Sequence, residues 1–300
     1  MSTMAVADVV FDGAAPAPQA PKRKRGKVRT IIGWLLIVAA LGLAGFWAWQ
    51  TFATTWLVRG EQQKELDQFE TPSNTTIADV STLCTDFVKC PPPVMDLTGL
   101  ETGDAFGIIT VPSWQGQKGV YDEDIRNRIL VKEGSLTQWK ATEVLNTGAA
   151  AHYPETAGPG EVGNFGVSAH RRSYGDNFLH LPDLVKGDWV LFEGKEAWYV
   201  YRVFDHVIVH PDDTHVIDPD PFHDPVCTKD PTTGEEKCEQ QPTRRLITMT
   251  TCTDPSGSPW NNNRRWVVHG ELYGWMSRKD GIPPMIDQYW KDQPTTKTDS

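Results

Sequence analysis

The sequence predicts an all-β domain, either a barrel or a sandwich. Its apolar runs are short and closely spaced, and few segments show a helical pattern. The 300 residues also include 22 prolines and 25 glycines, which end strands and form turns. We expect the strands to form one domain over residues 104–287, followed by a polar tail over residues 288–300.

Each strand is predicted from a run of β-branched or aromatic residues that Gly, Pro or polar residues bound. The strongest run extends from Trp198 to Val209 and leads into a long polar loop over residues 211–241. One short helix is predicted from Trp139 to Leu145. The remaining predicted strands are 106–112, 165–169, 189–193, 246–251 and 265–275.

The N-terminal part of the chain predicts a membrane anchor. Residues 1–29 combine an Ala- and Pro-rich segment with a basic cluster, and we expect them to be a disordered cytoplasmic tail. Residues 30–53 contain no charge and predict one transmembrane helix, with the rest of the chain outside the cell. A cleaved signal peptide is the alternative, but this apolar stretch is long for one. Residues 54–103 predict a juxtamembrane stalk that begins with a solvated helix and contains a small disulfide loop.

Composition excludes several classes of function. The formal net charge of −10 argues against a nucleic acid as the partner. The chain contains no phosphate-binding glycine loop and no pair of cysteines at zinc-ligand spacing. Histidines and aspartates do cluster near residues 210–223, but a proline-rich solvated loop explains them. We therefore expect neither a metal nor a cofactor.

The five cysteines indicate an oxidising compartment and one special thiol. Cys84 lies close to Cys90 in the chain, and Cys227 lies close to Cys238, so we expect these two disulfides. Other pairings remain possible. Cys252 is then left free, and an odd thiol in an exported protein is either a reactive group or a dimer link. Its position directly after a predicted strand favours a reactive group.

The free cysteine has candidate partners for nucleophilic catalysis. Cys252 ends one predicted strand, and the basic pair Arg264 and Arg265 begins the next. A nearby cation favours the thiolate, and a nearby base accepts the proton of a thiol. His170 ends another apolar strand, where a barrel would present its side chain at the rim. Only one of the two arginines can face the thiol, because neighbouring residues in a strand point to opposite faces.

Several stretches resemble the signatures of the sortase family. Residues 248–252, Thr-Met-Thr-Thr-Cys, resemble the sortase motif Thr-Leu-x-Thr-Cys with Met in place of Leu. Residues 265–272 resemble the strand that carries the sortase arginine, and residues 152–171 resemble the segment around the family histidine. The pattern is most similar to actinobacterial class E sortases, whose loop motif resembles residues 212–219 and whose Pro-Thr-Arg-Arg-Leu run matches residues 242–246.

The resemblance implies a closed eight-stranded β-barrel with short helices behind a single transmembrane helix. It also implies a cysteine transpeptidase, or thiol protease, on the outer face of the cell membrane. Such an enzyme cleaves a sorting motif of the Leu-Pro-x-Thr-Gly type after Thr, and class E members tend to accept Leu-Ala-x-Thr-Gly. Its partners would be surface proteins or pilins with a C-terminal sorting motif, and the amine of a peptidoglycan precursor or a pilin.

The resemblance also implies roles for individual residues. Cys252 would be the nucleophile and His170 the general acid and base. Arg265 matches the family arginine by its spacing to the following residues, and Arg264 remains the alternative. The residues predicted to contact the substrate are Tyr174, Thr251 and Trp260.

The chain departs from the family pattern in ways that affect the expected groove. Ala169 replaces the glycine usual before the histidine, which should be tolerated. Twelve residues separate Cys252 from Arg265, and this long insertion would border the site. The insertion with Cys227 and Cys238 lies in the loop before the cysteine strand, and we expect it to form a disulfide-linked hairpin beside the groove.

Two rival interpretations remain. An L,D-transpeptidase-like cell-wall enzyme also uses Cys, His and Arg, but its cysteine lies in a Ser-x-Gly-Cys-like run. A non-catalytic, membrane-anchored β domain that binds surface proteins would instead have Cys252 disulfide-bonded, or buried and inert.

Overall fold

Ten strands occur in the part of the chain that a computed structural model describes, namely residues 27–49, 54–69, 74–119, 127–229, 231–253 and 262–286. Their bounds are β1 Ala105–Thr110, β2 Ile129–Glu133, β3 Ala150–His152, β4 Gly163–Ser168, β5 Trp189–Glu193, β6 Ala197–Val209, β7 Val226–Lys229, β8 Glu236–Glu239, β9 Arg245–Thr253 and β10 Arg264–Ser277. Eight of them close into a barrel in the order β1-β2-β3-β4-β9-β10-β6-β5. The prediction of an all-β barrel is therefore confirmed.

The barrel interior is filled by aromatic and aliphatic side chains. Phe106, Phe165 and Phe192 contact one another with ring centroids 5.2–6.4 Å apart. Glu193 is fully buried, and its carboxylate oxygens accept hydrogen bonds from Arg128 at 3.0 Å and Arg278 at 2.7 Å. The aromatic cluster supplies apolar burial, and the two guanidinium groups compensate the buried charge.

Three α-helices accompany the barrel within the described residues: α1 Lys27–Ala48, α2 Thr54–Gln68 and α3 Gln138–Asn146. α1 includes a 20-residue apolar stretch, Lys27–Phe46, which is long and apolar enough to cross a membrane. It coincides with most of the predicted transmembrane helix. Residues 50–53 of that prediction lie outside the described residues.

The structure corrects the expectation that α2 is solvated on all sides. Val58, Gln62 and Leu66 are buried, and their spacing of four residues places them on one face of the helix. Leu66 packs in a small apolar cluster with barrel and neighbouring residues. Glu65 also forms a 2.7 Å ion pair with the buried Lys132 of β2. The sequence did not reveal this face, because one of these three buried positions is polar and charged residues surround them.

The segment after α2 also packs on the barrel wall rather than forming a free stalk. Ile77 forms an isolated parallel bridge with Ile282, and Cys84 forms an antiparallel bridge with Trp275. The Tyr199 hydroxyl of β6 donates a 2.7 Å hydrogen bond to a carbonyl of the same segment, that of Pro93. These contacts correct the expectation of a spacer, and they tie the first disulfide loop to the last barrel strand.

Both predicted disulfides are present, and the fifth cysteine is free. Cys84 is bonded to Cys90, and Cys227 is bonded to Cys238 across the β7–β8 hairpin. Cys252 is an unpaired cysteine at the end of β9. The predicted disulfide-linked hairpin therefore exists, and its strands are exposed along their whole length.

Candidate active site

The pairing of β9 with β10 brings the free thiol and one arginine to the same face of the sheet. Cys252 lies directly opposite Arg265, whereas Arg264 lies opposite Thr253. Residues directly opposite each other in an antiparallel pair share a face, and successive residues alternate. Arg265 is therefore on the side of the thiol and Arg264 is on the other side. This register decides between the two arginines that the sequence had left open.

The thiol faces outward from the barrel. Ile247 and Met249 belong to the buried core, so the alternating positions Thr248, Thr250 and Cys252 lie on the outer face of β9. Cys252 is partly exposed there. The outer faces of β4, β9 and β10 thus form one surface that ends at the free cysteine.

The arginine on this face is held by the loop that precedes it. Nη1 of Arg265 donates hydrogen bonds to the backbone carbonyls of Asn262 at 3.0 Å and Arg264 at 3.1 Å. These bonds use one end of the guanidinium group. They orient a positive charge at the beginning of β10, next to the end of β9.

His170 follows β4 and is held on two sides. Its Nε2–H donates a 2.9 Å hydrogen bond to Oδ1 of Asn146 at the end of α3, which leaves the lone pair on Nδ1. The Tyr174 ring stacks on the imidazole with centroids 5.3 Å apart and planes 27° apart. Burial lowers the pKa of His170 to about 4, so the imidazole is neutral at pH 7.

Short contacts fix the histidine segment against the cysteine strand. The amide of Ala169 donates to the carbonyl of Thr250 at 3.2 Å, and Thr251 Oγ1 donates to the carbonyl of Ala169 at 2.8 Å. Nη1 of Arg171 donates to Thr253 Oγ1 at 3.0 Å. The residues on both sides of Cys252 are thereby tied to the residues on both sides of His170.

The structure describes two of the three predicted substrate contacts. Thr251 is 2% exposed and its hydroxyl donates to the Ala169 carbonyl, so it stabilises the barrel wall rather than facing a substrate. Tyr174 stacks on the imidazole of His170, and its contact with a substrate stays a prediction. Trp260 lies outside the described residues.

Tyr153, which sequence reasoning missed, covers part of the outer face of β9. The hydroxyl groups of Tyr153 and Thr250 form a 2.7 Å hydrogen bond. A Cβ atom on Gly166 would lie 3.0 Å from the Tyr153 ring, so glycine allows this close approach. Asn146 was missed as well, because its hydrogen bond to the histidine joins residues 24 positions apart with no periodic signal.

A buried polar cluster anchors the long loop before β7 to the outer faces of β4, β9 and β10. Thr248 Oγ1 donates to Asn164 Oδ1 at 2.7 Å and accepts from Nδ1 of His269 at 2.9 Å. Nδ2 of Asn164 donates to the carbonyls of Val216 and Asp218 at 3.2 and 3.0 Å. Burial lowers the pKa of His269 to about 4, which keeps this histidine neutral.

The described ranges contain one group of three potential metal ligands, formed by Cys227, Glu236 and Cys238. Both of its cysteines belong to the hairpin disulfide, so they offer no thiolates. The candidate chemistry is therefore that of a thiol, an imidazole and a guanidinium group.

Comparisons with known proteins point to one family. A family model described as "Sortase domain" matches residues 120–273. The chain is 31% identical to sortase SrtE2 of Streptomyces coelicolor over 150 residues, which are 47% of this chain and 52% of the relative. It is 30% identical to sortase SrtE1 of the same organism over 150 residues, which are 48% of this chain and 38% of the relative. The chain thus spans about half or less of the length of these curated relatives.

Among solved structures, the SrtA sortase from Actinomyces oris matches with a TM-score of 0.53 and 34% identity. That match covers 68% of this chain and 96% of the other.

Proposed function

Because this chain belongs to the sortase family, we propose that it is a membrane-anchored cysteine transpeptidase that cleaves a sorting motif after Thr. Its proposed substrates carry Leu-Ala-x-Thr-Gly or Leu-Pro-x-Thr-Gly, and the acyl acceptor is an amine of a cell-wall precursor or a pilin. The observation that carries this proposal is the position of the one free thiol. Cys252 is partly exposed on the outer face of β9, opposite Arg265, and hydrogen bonds join β9 to the His170 segment.

In the first half-reaction, the neutral imidazole of His170 accepts the proton of the Cys252 thiol. The thiolate attacks the carbonyl carbon of the substrate Thr, and Arg265 stabilises the oxyanion that forms. The protonated imidazole then gives its proton to the Gly nitrogen as the C–N bond breaks. The C-terminal part of the substrate leaves as an amine, and the Thr carbonyl remains on Cys252 as a thioester.

In the second half-reaction, the acceptor amine attacks the thioester carbonyl. His170 accepts a proton from the attacking nitrogen, and the C–S bond breaks when the tetrahedral intermediate collapses. The thiolate regains a proton and a new amide bond joins the Thr to the acceptor. Water in place of the amine would give hydrolysis.

The hydrogen bond from His170 to Asn146 supports this assignment of the base. Because Nε2 carries the proton, Nδ1 is the nitrogen that can accept one. The stacked Tyr174 ring limits rotation of the imidazole. The depressed pKa of His170 agrees with a base that is neutral before the thiol transfers its proton.

Anchoring in the membrane is part of the proposal. The apolar helix α1 would span the membrane, and the basic residues before it would hold the N-terminus in the cytoplasm. The barrel would then lie outside the cell. The two disulfides support this location, because they persist in oxidising compartments.

The test uses the full chain in detergent with two quenched peptides and an amine acceptor. One peptide contains Leu-Ala-x-Thr-Gly and the other Leu-Pro-x-Thr-Gly. We expect cleavage after Thr, a transpeptidation product with the amine, and loss of both in Cys252→Ala. Failure to cleave either peptide, together with a Cys252 that does not react with thiol reagents, would instead support a non-catalytic binding domain.

A further inference from the structure

An arginine that the proposed reaction does not use lies next to the cysteine strand. Arg171 immediately follows His170, and its Nη1 donates a 3.0 Å hydrogen bond to Thr253 Oγ1, the residue after Cys252. Thr253 is 6% exposed, so this contact is shielded from water. The residue next to the proposed base thus bonds its guanidinium group to the end of β9.

We propose that Arg171 is a positioning residue whose charge, held in place by Thr253, favours the thiolate form of Cys252. This inference rests on the proposed function, because it assumes that Cys252 is the nucleophile. It assigns the favourable charge to an arginine on the histidine segment, in addition to the strand arginine Arg265.

The burial of the guanidinium group supports an electrostatic role. Nε of Arg171 is inaccessible to solvent, and among the described residues it has no hydrogen-bond partner. A cation with incomplete solvation acts on a nearby charge more strongly than a solvated one, because less water screens it. The hydrogen bond from Nη1 to Thr253 keeps the guanidinium group from turning outward.

The charges around Arg171 also support an electrostatic role for its guanidinium group. Burial is the main cause that lowers the pKa of Arg171, and the neighbouring Arg172 lowers it further. Asp183 and a charged Cys252 both counteract this effect. Interaction between two groups is mutual, so a guanidinium group stabilised by the thiolate also stabilises the thiolate.

Arg265 is another cation beside the end of the cysteine strand. It shares the face of Cys252, but its Nη1 is bound to two carbonyls of the preceding loop. Arg171 approaches from the other side of β9, since Thr253 points away from the face of Cys252. The two arginines therefore act on the same thiol from opposite faces of the strand.

The experiment measures how the rate of alkylation of Cys252 by iodoacetamide depends on pH. It uses the full chain in detergent with its disulfides intact and Cys252→Ala as the blank. The variants are Arg171→Gln, which removes the charge, Arg171→Lys, which keeps it, and Thr253→Val, which removes only the anchor. Arg172→Gln is the matched control, because it removes the adjacent charge without the bond to Thr253.

We expect the midpoint of the alkylation profile to move upward by about 0.5 to 1 pH unit in Arg171→Gln, since an opposite charge in a partly solvated site has an effect of this order. Arg171→Lys should recover more than half of this shift, and Thr253→Val should show a smaller shift of the same sign. Arg172→Gln should stay within about 0.2 unit of the wild type, as expected for a partly exposed charge without the bond to Thr253.

An Arg171→Gln profile equal to that of the wild type or of Arg172→Gln would overturn the inference. If Arg171→Gln does not fold, a wild-type profile in Thr253→Val would overturn it as well. Absence of any alkylation of wild-type Cys252 would contradict the proposed function itself, so the two failures are distinguishable.

Discussion

Buried His269 should make the stability of the fold depend on pH, and His269→Gln should remove the contribution of this histidine. The side chain is 2% exposed and its pKa is lowered to about 4, with burial as the largest cause. In the unfolded chain a histidine has a pKa of about 6.5. Between these two values the unfolded state binds more protons than the folded state, so stability falls as the pH falls.

The magnitude follows from the size of the shift. A difference of one pKa unit corresponds to about 1.4 kcal/mol, so complete protonation would cost about 3 kcal/mol relative to neutral pH. At pH 5 the unfolded histidine is almost fully protonated and the folded one is largely neutral, so the loss is about 2 kcal/mol. His269→Gln lowers the stability at pH 7, because Thr248 then loses its imidazole partner, but it should flatten this part of the curve.

The assay is denaturant unfolding of the full chain in detergent, followed by tryptophan fluorescence at pH values from 7.5 to 5. The free energy of unfolding of His269→Gln is subtracted from that of the wild type at each pH. We expect the difference to shrink by about 2 kcal/mol between pH 7 and pH 5. The exposed histidine variant His210→Gln should parallel the wild type. Parallel curves for the wild type and His269→Gln would refute the argument that burial holds this imidazole neutral.

Two further changes test the barrel and the site. Glu193→Ala should destabilise the protein by about 3 to 5 kcal/mol in denaturant unfolding, because the buried Arg278 and the partly buried Arg128 lose a carboxylate partner. A loss below about 1 kcal/mol would show that the two guanidinium groups rearrange freely. Asn146→Ala should lower kcat for the sorting-motif peptide about fivefold with little change in KM, because the imidazole loses a hydrogen bond worth about 1 kcal/mol that orients it. Asn146→Asp should raise the pKa of His170 and move the pH–rate profile upward. Unchanged kcat in Asn146→Ala would mean that stacking on Tyr174 alone holds the histidine.

The sequence predicted the parts of the fold that follow from local patterns. Six barrel strands, namely β1, β4, β5, β6, β9 and β10, were predicted from β-branched and aromatic runs, and the structure confirms them. The free cysteine was predicted from the count and spacing of the thiols and is also confirmed. Strands β2 and β3 were not predicted. The buried face of α2 was not predictable, because the helix is rich in charged residues and one of its buried residues, Gln62, is polar. Its burial depends on a barrel surface that the helix sequence does not describe.

The contacts that shape the site were hidden for a related reason. The parallel pairing of β4 with β9 places Ser168 opposite Thr250, and 82 positions separate Arg171 from Thr253. Local patterns carry no information on such pairs. Motif similarity identified His170 and Cys252 as individual residues, but not the hydrogen bonds that hold their segments together.

Which of Arg264 and Arg265 lies on the face of Cys252 depends on a buried contact elsewhere between β9 and β10. A shift of one residue between β9 and β10 would place Arg264 opposite Cys252 and turn Arg265 to the other face. In the observed register His269 lies opposite Thr248, and the hydrogen bond between their side chains exists only in that register. The same shift would also separate the Arg244–Glu271 ion pair at 2.6 Å and turn the polar His269 side chain toward the apolar core. The buried histidine and threonine therefore select the arginine that faces the thiol, although they lie four residues away from it along each strand.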